Sequence, residues 1–184
     1  MKSIITIILI FLVLSCQTAE EKSNRQIIKQ WTNKEVILPN TLKCKYVGQD
    51  TLCNHLFEKK YKILLYVDSV ECTPCRLQLY EWHKKIKETK LYSDSLAFLL
   101  IVNTRNPKLI DILVQKNHFD YPIFFDKNGN MQKINHFPED PYFQTFLLNQ
   151  ENKILLIGNP NNNKQLWELY KKIISGEIKD EKME

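Results

Sequence analysis

Glycine is scarce in this chain, and its scarcity excludes one class of site. Only 4 glycines occur among 184 residues, and no glycine-rich phosphate-binding loop is present. Serine-nucleophile motifs are also absent from the sequence. No two of the 4 histidines have the spacing of metal ligands; they are His55, His83, His118 and His136. The sequence therefore predicts neither a bound metal nor a cofactor.

The chain also lacks a block of charge of one sign. Its formal net charge is +5, and its 26 basic residues are interleaved with 21 acidic ones. The densest basic stretches, Lys84–Lys87 and Lys171–Lys172, lie in helical patterns, where a solvated helix face is the usual explanation. This distribution does not indicate a nucleic-acid partner.

A long apolar run is missing as well. The run Ile4–Leu14 follows Lys2 and has roughly half of the ~20 residues that a transmembrane helix needs. It indicates a signal peptide over residues 1–15. The following Ser15–Cys16 resembles a bacterial lipobox, so we expect Cys16 to be lipidated and to anchor the protein to a membrane. The alternative is an ordinary signal peptide with a cysteine near its cleavage site.

The remaining residues divide into three parts. Residues 16–34 are polar and charged without an apolar period, which predicts a lipidated N-terminus and a flexible tether. Residues 35–176 are long enough for one domain with a hydrophobic core. Residues 177–184 form a charged tail.

Within the domain, strand and helix patterns alternate and end in a hairpin and a last helix. The predicted strands are 35–39, 43–48, 62–68, 95–103, 121–126, 145–149 and 153–157, and the predicted helices are 52–57, 73–91, 107–117 and 166–175. The apolar runs of the third and fourth strands are typical of strands buried on both faces. Together these patterns predict an α/β fold in which helices cover both faces of a central mixed sheet.

The most informative motif is the segment Cys72–Cys75, which places two thiols three positions apart. It follows a strand pattern and opens a helix pattern, so Cys72 is expected at a helix N-terminus. There the unpaired N–H groups and the positive end of the helix dipole favour a thiolate, which attacks disulfides near neutral pH. Cys75, one turn later, is placed to close the ring.

Together with segments 121–129 and 145–148, this motif resembles thioredoxin-fold proteins, in particular those of the cell-envelope TlpA and ResA type, over residues 36–174. The resemblance implies a thioredoxin-like three-layer sandwich and thiol–disulfide oxidoreductase activity on proteins. It implies that Cys72 is the nucleophile and Cys75 the resolving thiol. Pro74 would fix the turn into the helix.

Proline between the cysteines, here Pro74, also resembles reducing members of the family. A reductase outside the cytoplasm needs an external electron donor, which would be a partner thioredoxin or a membrane reductant. With the lipid anchor, the expected location is the bacterial cell envelope, at the outer membrane and facing the periplasm or the surface.

The chain departs from its relatives around the motif. Phe143 stands where relatives place a cis-proline, shortly before Thr145, and Glu71 stands where they place tryptophan. Tyr66 and Gln78 occupy positions at which relatives carry an acid for proton transfer.

Two acids remain as candidates for proton handling, namely Asp68 and Glu71. The alternative for both is a solvent-facing loop acid. The loop aromatics at 136–137 and 142–143 are candidates for an apolar rim around the cysteines, and core packing is the alternative. His83, on the helix that follows the cysteines, faces either Cys75 or solvent.

Cys44 and Cys53 flank a predicted turn, and several states are open to them. A structural disulfide across a hairpin would contribute about 2 to 3 kcal/mol in the chain-entropy picture. The alternatives are two buried free thiols, a redox relay with the Cys72–Cys75 pair, or a zinc site made of all four cysteines.

Two other functions compete with the oxidoreductase. A peroxiredoxin-like peroxidase normally needs threonine shortly before its peroxidatic cysteine, and the segment Asp68–Glu71 does not supply one. A non-catalytic binding or scaffold lipoprotein would explain why the cis-proline and the buried acid of relatives are missing.

Overall fold

The computed structural model describes residues 20–68 and 73–179. Within the first of two compact units, which ends at Thr32, residues 20–31 are helical (α1). The sequence predicts a flexible tether for residues 16–34, because this segment shows no apolar period. Ile27 and Trp31 lie four residues apart, a spacing that places both side chains on one helix face, and they are half-buried and buried, respectively. The role of this stretch as a spacer stays a prediction, and Cys16 and the signal segment lie outside the described residues.

The second unit, from Asn33 onward, is built on one seven-stranded mixed sheet. Its strands are β1 (Lys43–Tyr46), β2 (Gln49–Thr51), β3 (Tyr61–Val67), β4 (Leu96–Val102), β5 (Ile123–Phe125), β6 (Thr145–Leu148) and β7 (Ile154–Ile157). Their order across the sheet is β2-β1-β5-β4-β3-β6-β7. The three central strands β5, β4 and β3 are parallel, and all other pairings are antiparallel.

Strands β3 and β4 form the centre of the sheet. Every residue of both strands is buried, as their apolar sequences predict for strands covered on both faces. They pair in parallel from Tyr61 with Leu96 to Val67 with Val102. This register carries both strands to the same edge of the sheet, and the Cys72–Cys75 motif follows β3 at that edge.

Five further helices are described. They are α2 (Thr73–Leu77), α3 (Leu79–Glu88), α4 (Pro107–Lys116), α5 (Asn130–Asn135) and α6 (Lys164–Ile174). Side chains of α3, α4 and α6 share one apolar cluster with alternate residues of β3 and β4. On the opposite face, Phe137 follows α5 and packs against Tyr66 of β3 and Phe146 of β6. The sheet is therefore covered on both faces, as the sequence predicts.

Several elements differ from their predictions. The strand expected over 35–39 is reduced to one bridge between Glu35 and Lys153, and the helix expected over 52–57 is a single 3-10 turn, Asn54–Leu56. α5 was not predicted, because its sequence is polar and too short to show a period.

The β1–β2 hairpin is tighter than expected. Tyr46 pairs with Gln49, so Val47 and Gly48 form a two-residue turn, and both have positive φ. This is the conformation that the right-handed twist of a hairpin favours, and glycine adopts it without strain.

None of the helices in the described part of the chain has both the length and the hydropathy of a membrane span.

Candidate redox site

The cysteine motif follows β3 in the sequence and extends into α2, whose Leu77 belongs to the apolar cluster on one face of the sheet. β3 ends at Val67 and α2 begins at Thr73, while Glu71 and Cys72 lie outside the described residues. Cys75 is exposed in the first turn of α2, and it is disulfide-bonded. Since Cys44 and Cys53 are bonded to each other, the partner of Cys75 is not among the other described cysteines.

Pro74 occupies the second position of α2 and is exposed. The first turn of a helix has N–H groups without intrahelical acceptors, so proline costs no hydrogen bond there. The expected role of Pro74 at the start of the helix is compatible with this position.

The helix behind the cysteines is broken, whereas the sequence predicts one helix over 73–91. Gln78 separates α2 from α3 and has left-handed backbone angles, φ 42° and ψ 45°. Its Oε1 accepts a hydrogen bond of 2.8 Å from Asn161 Nδ2. Residues two apart on a continuous helix face away from each other, yet Leu77 and Leu79 are 0% and 4% exposed. The break therefore resets the helix so that both leucines reach the core.

The cysteine helix is also tied to the loop before β6. Arg76 Nη2 donates a hydrogen bond of 2.7 Å to the carbonyl oxygen of Pro141, which opens the 3-10 turn Pro141–Phe143. All peptide bonds among the described residues are trans. Gln144 continues the β3–β6 ladder, because its carbonyl accepts from the Tyr66 N–H at 3.0 Å, and Thr145 begins β6 in a fully buried position.

The proposed apolar rim is largely absent. Phe137 and Phe143 are each 2% exposed, so the alternative of core packing is correct for these two rings. Tyr142 is 43% exposed and packs edge-on against Phe143, with ring centroids 5.1 Å apart. His136 is exposed as well, so two of the four proposed rim residues are accessible.

Tyr66 cannot replace the acid of relatives as a proton acceptor near neutral pH. Its side chain is completely buried, and burial raises its pKa to about 12, with the nearby carboxylates of Asp126 and Asp68 acting in the same direction. The hydroxyl therefore stays protonated. Asp68 itself is half-buried directly after β3, and its role in proton handling stays a prediction.

Asp126 is a buried acid near this site that the sequence interpretation did not single out. It is 2% exposed and its two carboxylate oxygens accept the N–H groups of Asn130 and Met131, each at 2.9 Å. The carboxylate thereby caps the N-terminus of α5. In the sequence, Asp126 stands between an apolar strand and the Asn128–Gly129 turn, and this position is the signal from which it could have been found.

Cys44 and Cys53 form a disulfide, with Cα atoms 6.1 Å apart. They are 7% and 3% exposed. This pairing rules out the free-thiol and zinc-site alternatives for them. Among the described residues, no group of three or more His, Cys, Asp or Glu side chains could hold a metal ion.

His83 occupies neither of the two positions considered from the sequence. Its side chain is 14% exposed, and its Nε2 lies 3.0 Å from Asp120 Oδ1. The ring also packs edge-on against Phe119. His83 therefore joins α3 to the segment before β5.

No protein-family model and no curated protein matches this chain, whereas solved structures do. The thioredoxin domain of a thiol-disulfide oxidoreductase from Bacteroides vulgatus is 13% identical, with a TM-score of 0.55 over 76% of this chain and 97% of that one. A putative thiol:disulfide interchange protein DsbE from Chlorobium tepidum is 14% identical, with a TM-score of 0.57 over 78% and 98%.

Peroxiredoxin Q from Xanthomonas campestris is also similar, at 14% identity and a TM-score of 0.54 over 78% of this chain and 99% of that one. At such identities the likeness concerns the fold. The mixed sheet, its helical layers and these neighbours agree, and this chain has an α/β thioredoxin-like fold.

Proposed function

We propose that this protein is a thiol–disulfide oxidoreductase of the bacterial cell envelope, in which Cys72 and Cys75 form the redox-active pair. The observation that carries the proposal is the state of Cys75, a disulfide-bonded cysteine exposed in the first turn of the helix that follows the central strand. In this proposal Cys72 is its partner. Exposure supports exchange chemistry, because a thiolate must reach the disulfide sulfur that it attacks.

The reaction proceeds in two exchanges. In the reduced protein, the Cys72 thiolate attacks one sulfur of a substrate disulfide, forms a mixed disulfide and releases the other substrate sulfur as a thiolate. The Cys75 thiolate then attacks the Cys72 sulfur, which closes the intramolecular disulfide and releases the second substrate thiolate. Two electrons pass to the substrate, and an external donor dithiol must return two electrons before the next cycle.

The direction proposed is reduction of protein disulfides. Proline between the cysteines supports it, by resemblance to reducing members of the family. A redox titration of the pair tests the direction, because a potential near about −270 mV indicates a reductant and one near about −120 mV an oxidant.

The proposed location rests on Cys16 and is supported by the Cys44–Cys53 disulfide. Disulfides form and persist in oxidising compartments and are rare in the cytosol. Metabolic labelling with a fatty acid tests the anchor: label should enter the wild-type protein and not a Cys16→Ala variant. Equal labelling of both would contradict the anchor without affecting the redox proposal.

Insulin reduction driven by dithiothreitol tests the activity. Cys72→Ser should reduce the catalysed rate to the level of dithiothreitol alone, because the attacking sulfur is lost. The double variant Cys44→Ala/Cys53→Ala is the matched cysteine control and should retain activity at temperatures where it stays folded. Equal rates for wild type and Cys72→Ser would refute the proposal and favour a scaffold protein.

A trapping experiment identifies the protein partner. In Cys75→Ala the nucleophile still attacks, but nothing resolves the adduct, so a mixed disulfide with the substrate protein should accumulate.

Hydrogen peroxide consumption by the wild type, measured in parallel, tests the peroxidase alternative.

A further inference from the structure

A basic groove lies at the edge of the sheet where the parallel strands β3, β4 and β5 end. Its volume is about 720 Å³, which is within the usual range for ligand sites. Four cationic side chains and one acid line it, namely Lys43, Lys45, Arg105, Lys127 and Asp50. Val102 and Phe125 supply apolar lining, and Pro107 lines it from the start of α4.

The groove is built by the sheet register. Lys43 and Lys45 lie on β1 opposite Phe125 and Ile123 of β5, and Phe125 in turn lies opposite Val102 of β4. Side chains at alternate positions of a strand share one face, so the two lysines flank the same apolar surface. Lys45 Nζ lies 5.5 Å from the centre of the Phe125 ring.

The positive charge of this groove is poorly neutralised within the chain. Lys45 pairs with Asp111 of α4 at 3.4 Å. In contrast, Lys43, Arg105 and Lys127 make no ion pair with any residue of the described ranges. All three are exposed. The positive end of the α4 dipole adds to the same potential, because Pro107 opens that helix.

The groove begins one strand away from the strand that leads to the cysteines. The N–H of Asn103, a lining residue, donates to the carbonyl of Val67 at 2.8 Å. Neighbouring strands lie about 4.8 Å apart. A polypeptide bound in the groove therefore lies close to Val67 at the end of β3, the strand that precedes the cysteine motif in the sequence.

We propose that the groove binds an acidic segment of the protein on which the cysteine pair acts, with carboxylates on the cationic rim and an apolar side chain against Phe125. This inference rests on the proposed function for the identity of the partner. Charge complementarity favours an anionic ligand, and the mixed apolar and cationic lining favours a peptide over a simple anion.

Fluorescence anisotropy tests the binding with the purified full-length protein. The probe is a fluorescein-labelled peptide of alternating glutamate and phenylalanine without cysteine, and the matched probe has glutamine in place of glutamate. The acidic probe should bind more tightly, and its Kd should rise when salt is raised from about 0.05 M to about 0.5 M. Equal affinity for the two probes would overturn the proposal.

Charge reversal locates the site. Arg105→Glu/Lys127→Glu should raise the Kd for the acidic probe by about tenfold or more, because two attractive contacts become repulsive. The control Lys87→Glu/Lys172→Glu makes the same change in net charge on exposed helical residues outside the groove. If the control weakens binding equally, net charge and not the groove is responsible. If inorganic phosphate at millimolar concentration displaces the probe completely at constant ionic strength, the groove is a simple anion site and the proposal fails.

The two proposals fail separately. The probe contains no cysteine, so Cys72→Ser should bind it as the wild type does, whatever its redox activity. For a reducible peptide with acidic flanks, the groove variant should lower kcat/KM, whereas for one with glutamine flanks it should leave kcat/KM unchanged. Equal losses on both substrates would contradict a role of the groove in substrate choice.

Discussion

Tyr66 lies on the strand that leads to the cysteines, and its ring packs against Phe137 with centroids 5.3 Å apart. A phenol enclosed in this way resists ionisation because its anion would lose hydration. The apolar run of β3 predicts that this ring is buried. It does not reveal the surroundings of the hydroxyl, because Asn103, Asp126 and Phe137 come from distant segments. Position in the sheet therefore fixes the protonation state of a residue that stands where relatives carry an acid.

The raised pKa of Tyr66 predicts a loss of stability at alkaline pH. Above pH 10 the unfolded chain releases this proton, whereas the folded state holds it until about pH 12. The native state then binds more protons, so the free energy of unfolding falls as pH rises, by about 2 kcal/mol from this residue at about pH 11.5. Urea unfolding of Tyr66→Phe from about pH 9 to about pH 11.5 should show a correspondingly smaller decrease.

Tyr46→Phe is the control for that comparison, because Tyr46 is 46% exposed. It should lose stability with pH as the wild type does. Identical pH dependence for Tyr66→Phe and wild type would show that Tyr66 does not hold its proton in the folded state.

At the scale of elements, the helix that carries Cys75 is set by a single backbone conformation. The left-handed angles of Gln78 separate α2 from α3, and the Arg76 hydrogen bond to Pro141 ties α2 to the loop before β6. The helical period of residues 73–91 predicted a helix correctly but not its interruption. A helical period is averaged over many residues, so it does not report a single residue with non-helical angles between Leu77 and Leu79.

The break at Gln78 predicts an inverted order of stability for two substitutions. On a continuous helix, alanine is better than glycine by about 1 kcal/mol. In the left-handed region, glycine avoids a steric cost of about 1 kcal/mol that alanine bears. Because both variants lose the hydrogen bond from Asn161, Gln78→Gly should unfold at a higher urea concentration than Gln78→Ala. The opposite order would mean that the helix is continuous.

At the scale of the molecule, the Cys44–Cys53 disulfide fastens the outer hairpin to the segment that precedes β3. Cys44 lies on β1 and pairs in register with Phe124 of β5, and Cys53 lies just before the 3-10 turn Asn54–Leu56. Both sulfurs belong to buried residues, which opposes attack by an external thiol. The position indicates a structural bond.

Removal of this bond should lower stability more than activity. Cys44→Ala/Cys53→Ala frees a short loop in the unfolded chain and should cost about 2 to 3 kcal/mol. For a chain of this size, that loss corresponds to a decrease in Tm of roughly 5 to 10 °C. Thermal unfolding followed by circular dichroism measures it. A loss of insulin reduction in the folded double variant would instead indicate a redox relay.

The sequence alone determined the elements whose signal is local. Continuous apolar runs identified β3 and β4 to within a residue or two, because burial on both faces demands such runs. The Cys72–Cys75 spacing after a strand identified the candidate redox pair, and the even number of cysteines left after Cys16 allowed the Cys44–Cys53 bond.

Tertiary structure alone decided the features that depend on residues distant in the chain. The left-handed Gln78 follows from the burial of two leucines that lie two positions apart. The strand expected over 35–39 is reduced to one bridge, because the N–H and the carbonyl of Ile37 both bond to the side chain of Asn135. The basic groove gathers side chains from three separate segments, whereas the densest basic stretches of the sequence lie elsewhere. Sequence patterns report local periodicity, but charge convergence and burial arise only when the sheet register brings separate strands together.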